Sequence, residues 1–225
     1  ELGKYQPATG QTVCIEADEG DHVPGTGASA DQRCAAGSYT DSAGSTSCTP
    51  CEVGKYQNHP GRDHCLDAPA GFYAANSVGG AYVNSGAVEI TPCAAGYYKN
   101  NAGDGTGADI NGKCTPCTAG TYQGATGATV CFNTDAGYVS RTASTALTTG
   151  GSNVNQGTAL YAVACPDAEY KGTTVTDNCA DVPAGSFGSS DAGLTYASSA
   201  ATSAVQCVKG TYNTNGSGAC DVVPA

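Results

Sequence analysis

Thirteen cysteines and three histidines carry most of the chemistry open to this sequence. Cysteine offers a structural disulfide, a reactive thiolate or a zinc ligand. Two Cys-Thr-Pro-Cys runs, Cys48 to Cys51 and Cys114 to Cys117, have the spacing of a redox motif. No strand–helix–strand pattern surrounds either, so each reads as the joint between two neighbouring loops. Zinc needs four donors brought together, usually from paired knuckles, and the outer cysteines of each cluster stand alone. His22, His59 and His64 read as solvated loop residues, the last two flanking Gly61-Arg62-Asp63 at a loop tip. A serine or cysteine nucleophile working with histidine needs a buried, pre-organised pocket. Glu16, Asp18, Glu19 and Asp21 are oxygen-rich enough for calcium, but read as a solvated acidic face. Asp104 to Asn111 fits no calcium-loop spacing and reads as an extended hairpin tip. The expectation is a chain with no cofactor, no metal ligands and no catalytic residues, and not an enzyme.

The elements that place the cysteines are repeats. A unit opens with Cys, has Gly three residues on and Tyr five residues on, and closes with a second Cys. Cys34-Ala-Ala-Gly37-Ser-Tyr39 closes at Cys48, Cys51-Glu-Val-Gly54-Lys-Tyr56 at Cys65, and Cys117-Thr-Ala-Gly120-Thr-Tyr122 at Cys131. Cys93 closes at Cys114 with a longer tip, Cys165 at Cys179 with Ala168 in place of glycine, and Cys207 at Cys220 one residue short. A further glycine marks the middle of the loop at Gly44, Gly61, Gly103 and Gly127, among turn formers such as Pro60-Gly61. The predicted unit is a hairpin-like loop whose turn brings two cysteines within disulfide reach, with the tyrosine covering the bridge.

The units at 165–179 and 207–220 have no adjacent Cys-x-x-Cys partner. If all units share one fold, each must close on itself: Cys34 with Cys48, Cys51 with Cys65, Cys93 with Cys114, Cys117 with Cys131, Cys165 with Cys179, and Cys207 with Cys220. Glu1-Leu-Gly3-Lys-Tyr5, Gly10 and Cys14 repeat the unit without its first cysteine, which would fall immediately before Glu1. Cys14 is therefore the odd cysteine, and the chain is expected to be a window from a longer array. The absence of Met suggests an upstream segment, such as a signal peptide, removed before Glu1.

The expected organisation is a truncated first repeat and spacer (1–33), a double Cys loop and spacer (34–92), and a second double loop and spacer (93–164). A single loop and spacer (165–206) and a truncated last loop (207–225) follow. After each closing cysteine that leads into a spacer, glycine appears six residues on, at Gly20, Gly71, Gly137 and Gly185. Two spacers open with Pro-Ala-Gly and an aromatic, Pro69 to Phe72 and Pro183 to Phe187. Short β-segments packed against the stapled loops are expected there.

Composition agrees with a stapled design. Leu, Ile, Val and Phe total 27 of 225 residues (5, 3, 16 and 3), too few for an ordinary core. Disulfides supply the constraint that apolar burial cannot. No long apolar stretch is present. A net charge of −11 disfavours nucleic acid and anionic membrane surfaces. The fold class expected is small, disulfide-rich and mostly β or irregular, an elongated rod of tandem disulfide-stapled hairpin repeats. Asn215-Gly216-Ser217 is an N-glycosylation sequon on the tip of the last loop.

The run from Cys114 through Thr-Pro-Cys117-Thr-Ala-Gly120-Thr-Tyr122-Gln to Cys131 resembles the ephrin-receptor-like cysteine-rich repeat, and the Pro-Ala-Gly-aromatic openings fit that family too. The Ala-, Gly-, Ser- and Thr-rich spacers between Cys-x-x-Cys pairs are similar to the surface or immobilisation antigens of ciliates. Ala168 and the two solitary units depart from the pattern. The resemblance implies an extracellular, lipid-anchored coat protein, the anchor lying outside this window. The leading expectation is a structural cell-surface coat protein or extracellular filament subunit. Its partners would be other copies or neighbouring repeats, with no nucleic acid and no membrane contact beyond the anchor. The alternative is a receptor or adhesion ectodomain for a protein or glycan ligand.

Overall fold

A computed structural model describes residues 1–103, 114–142, 159, 161–172, 178–191, 196–209 and 211–224. The loop at 104–112 and Gly210 therefore lie outside the described residues. Among the described residues, twenty-two short strands pair in chain order into eleven two-stranded hairpins. The first three pair Lys4–Tyr5 with Ile15–Glu16, Asp21–His22 with Gln32–Arg33, and Ser38–Tyr39 with Thr49–Pro50. No helix forms among the described residues, as the glycine density requires.

The segments expected as spacers fold as hairpins of the same kind. The second hairpin occupies the first spacer. The fifth pairs Phe72–Ala75 with Glu89–Pro92, the eighth Tyr138–Arg141 with Tyr161–Ala164, and the tenth Ser186–Ser189 with Ser203–Gln206. These last three have four-residue ladders where the stapled hairpins have two-residue ones. Added ladder hydrogen bonds stand where the disulfide would be. In the first five hairpins the opening glycine recurs every 17 residues, at Gly3, Gly20, Gly37, Gly54 and Gly71.

The chain divides into two compact units: Glu1–Cys93 with Lys99–Thr115 and Gly127–Thr129, and Ala94–Tyr98 with Pro116–Thr126 and Val130–Ala225. In the first unit, successive hairpins hydrogen-bond through up to three backbone groups, the full set joining the second to the third and the third to the fourth. The opening glycine donates to the residue after the next aromatic position, as from Gly20 N to Thr40 O (2.8 Å) and Gly37 N to Gln57 O (2.7 Å). The residue after the aromatic position donates to the next tip, as from Val23 N to Ser45 O (2.9 Å) and Gln57 N to Ala87 O (3.0 Å). The next tip glycine donates back, as from Gly44 N to Ala17 O and Gly61 N to Cys34 O, both 2.8 Å. The second unit repeats the pattern, with Gly137 N to Lys171 O (2.8 Å), Lys171 N to Ala201 O (2.9 Å) and Ala200 N to Cys165 O (2.8 Å).

This stacking explains why glycine is required. Gly37 sits at φ +83°, and a Cβ there would lie 2.4 Å from the carbonyl oxygen of Gly86. The backbones approach too closely for any side chain.

The core is a row of small residues three positions before each opening glycine. Ala17, Cys34, Cys51, Ala68 and Cys93 in the first unit, and Cys117, Thr134, Cys165 and Val182 in the second, are all buried. Cysteine and small residues thus alternate at one structural position. Ala68, Ala74 and Ala87 form a buried apolar cluster in the fifth hairpin, with Tyr56, Val83 and Ile90 packed against it. The buried side chains are mostly small, so each contributes little apolar burial, and local covalent closure complements it.

Candidate functional site

Three places bring reactive side chains together. The bridges come first. The structure pairs Cys34 with Cys48, Cys51 with Cys65, Cys93 with Cys114, Cys117 with Cys131, Cys165 with Cys179, and Cys207 with Cys220. Their Cα–Cα distances of 5.6–5.8 Å are ordinary for disulfides. Each bridge closes one hairpin, so the two Cys-Thr-Pro-Cys runs join different bridges and neither is a dithiol pair. Cys14 carries a free, exposed thiol in the first hairpin.

The second place is the disulfide next to His22. The hairpin register sets His22 opposite Gln32 and Asp21 opposite Arg33. The His22 ring is half-buried, with Nδ1 2.9 Å from the Gln32 carbonyl oxygen and 3.3 Å from the Cys48 Sγ. His22 is thus a packed group seated on a bridge, not the solvated loop residue expected. It occupies the aromatic position of its hairpin, equivalent to Tyr39 and Tyr56, and that equivalence is the signal in the sequence that places it. Its neighbour Asp21 also departs from a freely solvated face. Burial, with help from the charges of Asp31 and Asp18, pushes the Asp21 carboxyl above its usual range against the opposing Arg33. Asp21 Oδ1 is buried without a hydrogen-bond partner. Glu16 of the same acidic run is exposed and lies 3.5 Å from Lys4 Nζ.

The third place is an open polar cleft of about 410 Å³ lined by Tyr39, Asp41, Glu52, Lys55, Asp63, His64 and Cys65. His64 Nδ1 and Asp63 Oδ1 are 2.7 Å apart, and this hydrogen bond holds the Asp63 carboxyl below its ordinary range. Both side chains are more than half exposed. Cys65 is held in a disulfide, so the cleft offers carboxylates, one ammonium and an aromatic face but no thiolate nucleophile. These groups can make polar contacts with a ligand. His59 lies at the same tip, its backbone N–H donating to Gln57 Oε1.

Asn215 is exposed on the last tip. Its Oδ1 accepts from the Ser217 N–H (3.1 Å), and the Ser217 hydroxyl donates to Asp167 Oδ2. The sequon asparagine faces solvent while its serine is engaged.

Residues 37–77 match the family model described as tyrosine-protein kinase ephrin type A/B receptor-like. The match runs from Gly37 through the Cys48-Thr-Pro-Cys51 joint to the Pro69-Ala-Gly71-Phe72 opening, an earlier copy of the pattern at 114–131. Comparison with curated proteins finds no match. The matched segment is a cysteine-rich repeat of the ephrin-receptor-like kind. Together with six disulfides it marks an extracellular type of domain. Among the described residues no helix is long and apolar enough to cross a membrane.

Proposed function

We propose that this chain is a structural protein of the cell exterior, a coat component or filament subunit built of cysteine-rich repeats, and that it performs no catalysis. One observation carries the reading: successive hairpins commit backbone donors, left-handed glycines and buried small residues to holding one another. Chemistry devoted to self-stacking suits a scaffold. A net charge of −11 favours a self-repelling, hydrated exterior over nucleic-acid binding. Its partners on this reading are further repeats or other copies of the chain, and a glycan on Asn215 would face solvent. The test is antibody labelling of intact, unpermeabilised cells that produce the protein. Labelling that brief external proteolysis removes is expected. Labelling seen only after permeabilisation would contradict the proposal.

The polar cleft favours a second reading, a receptor or adhesion ectodomain. Tyr39 among three carboxylates and one lysine suits a polar or cationic ligand, such as a glycan or a basic peptide. A glycan array and a basic-peptide panel probe this directly. Binding lost on Asp41→Asn with Glu52→Gln would move the function toward recognition.

A further inference from the structure

His22 is a chemical exception within the repeat. The position two residues after the opening glycine or its equivalent is aromatic or aliphatic elsewhere: Tyr5, Tyr39, Tyr56, Tyr73, Tyr98, Tyr122, Val139, Tyr170, Phe187 and Tyr212. Only in the second hairpin does it carry an imidazole, a common zinc ligand. That group lies against the disulfide of the third hairpin. One ligand atom from each of His22, Cys34 and Cys48 fits within 4.8 Å of the other two. Cys34 is fully buried, whereas Cys48 and His22 are half-buried, so the cluster is open on one side.

We propose that Cys34, Cys48 and His22 form a Cys₂His site for a zinc-class divalent cation when the Cys34–Cys48 bridge is in its dithiol state. The joint between the second and third hairpins then has two cross-linked forms, one disulfide and one metal. Two thiolates and an imidazole are a natural donor set for zinc, and the open side leaves the fourth position to water. In a tetrahedral site of this kind the two sulfurs stand roughly 3.8 Å apart, a separation that cleavage of the S–S bond permits. The 3.3 Å between His22 Nδ1 and Cys48 Sγ already suits two donors on one metal.

The switch needs a dithiol reductant. Its thiolate attacks Cys48 Sγ, the reachable sulfur, and the electron pair of the S–S bond leaves on Cys34 Sγ. The reductant's second thiol resolves the mixed disulfide and releases Cys48. The reductant becomes its disulfide, and the protein bridge has gained two electrons. The imidazole 3.3 Å from Cys48 Sγ stabilises the thiolate released there, so this bridge opens before the other five. The cation then displaces the two thiol protons, and the imidazole proton moves to Nε2 as Nδ1 takes up the metal.

The experiment exposes the full chain to a limiting dithiol, traps free thiols by alkylation for mass mapping, and titrates a parallel unalkylated sample with cobalt(II). Cys34 and Cys48 are expected to label ahead of the other bridged cysteines. One cobalt is expected to bind with thiolate-to-metal charge transfer and tetrahedral ligand-field bands. His22→Tyr restores the residue common at this position, so it keeps the hairpin. It is expected to keep the other five bridges and to weaken cobalt binding by roughly tenfold or more. Three results overturn the proposal: opening of this bridge only after the others, cobalt without tetrahedral bands, or equal binding by His22→Tyr with circular dichroism unchanged.

Discussion

Single residues in this chain matter through backbone geometry more than through apolar contact. Gly37 combines a left-handed φ of +83° with a neighbour 2.4 Å from any added Cβ. Gly37→Ala is therefore expected to cost about 2 kcal/mol or more, since left-handed strain alone is about 1–2 kcal/mol. Chemical denaturation would register it as a lower midpoint at unchanged slope. Ala168 occupies the equivalent position at φ +66°, carrying strain where other hairpins have glycine. Ala168→Gly is expected to stabilise by about 0.5–1 kcal/mol, the relief of strain less the entropy cost of glycine. Asp21 adds a pH dependence. Its folded carboxyl binds the proton more tightly than the unfolded one, so its effect is a penalty on folding that grows as pH rises through the raised value. Asp21→Asn should raise the melting temperature at neutral pH, and the gain should vanish in acid below the unfolded carboxylate range. A melting-temperature series across pH for both proteins reads this out. A gain that persisted undiminished in strong acid would assign the effect to something other than the charge.

At the level of the hairpin, two devices hold the strands: a disulfide or a longer ladder. Stapled hairpins were legible in the sequence because cysteine, glycine and tyrosine recur at fixed offsets. Cysteine-free hairpins kept only the glycine six residues past a closing cysteine, as at Gly20 and Gly71. Their buried residues, Ala17, Ala68, Thr134 and Val182, share smallness rather than type, and the positions equivalent to the closing cysteine hold Asp31, Ile90, Ala162 and Ala204. Stacking imposes a backbone shape and a volume limit there, and many side chains satisfy both. His22 reads as a loop residue for the same reason: it belongs to a hairpin whose existence the cysteine pattern does not announce. The second hairpin has neither a disulfide nor a four-residue ladder. Ala17→Cys with Asp31→Cys copies the Cys34–Cys48 register and is expected to form a bridge that stabilises by up to about 3 kcal/mol. Conversely, Cys51→Ala with Cys65→Ala should cost about the same. Calorimetry on both pairs of variants checks the sign and the size. Failure of the engineered pair to oxidise would show that the hairpins are not equivalent.

Across the molecule, stability comes from the joints between successive hairpins within each compact unit, with little apolar core behind them. Such a chain loses structure where its covalent closures are lost, and neighbour-to-neighbour contacts spread the loss. The extracellular character and the placing of cysteine among small residues at one buried position both rest on six local bridges. Mass mapping of native, unreduced protein, with free thiols blocked before digestion, tests them most directly. The account predicts six linked peptides, each joining the two cysteines of one hairpin. Cysteines found largely free, or bridges running between different hairpins, would contradict it.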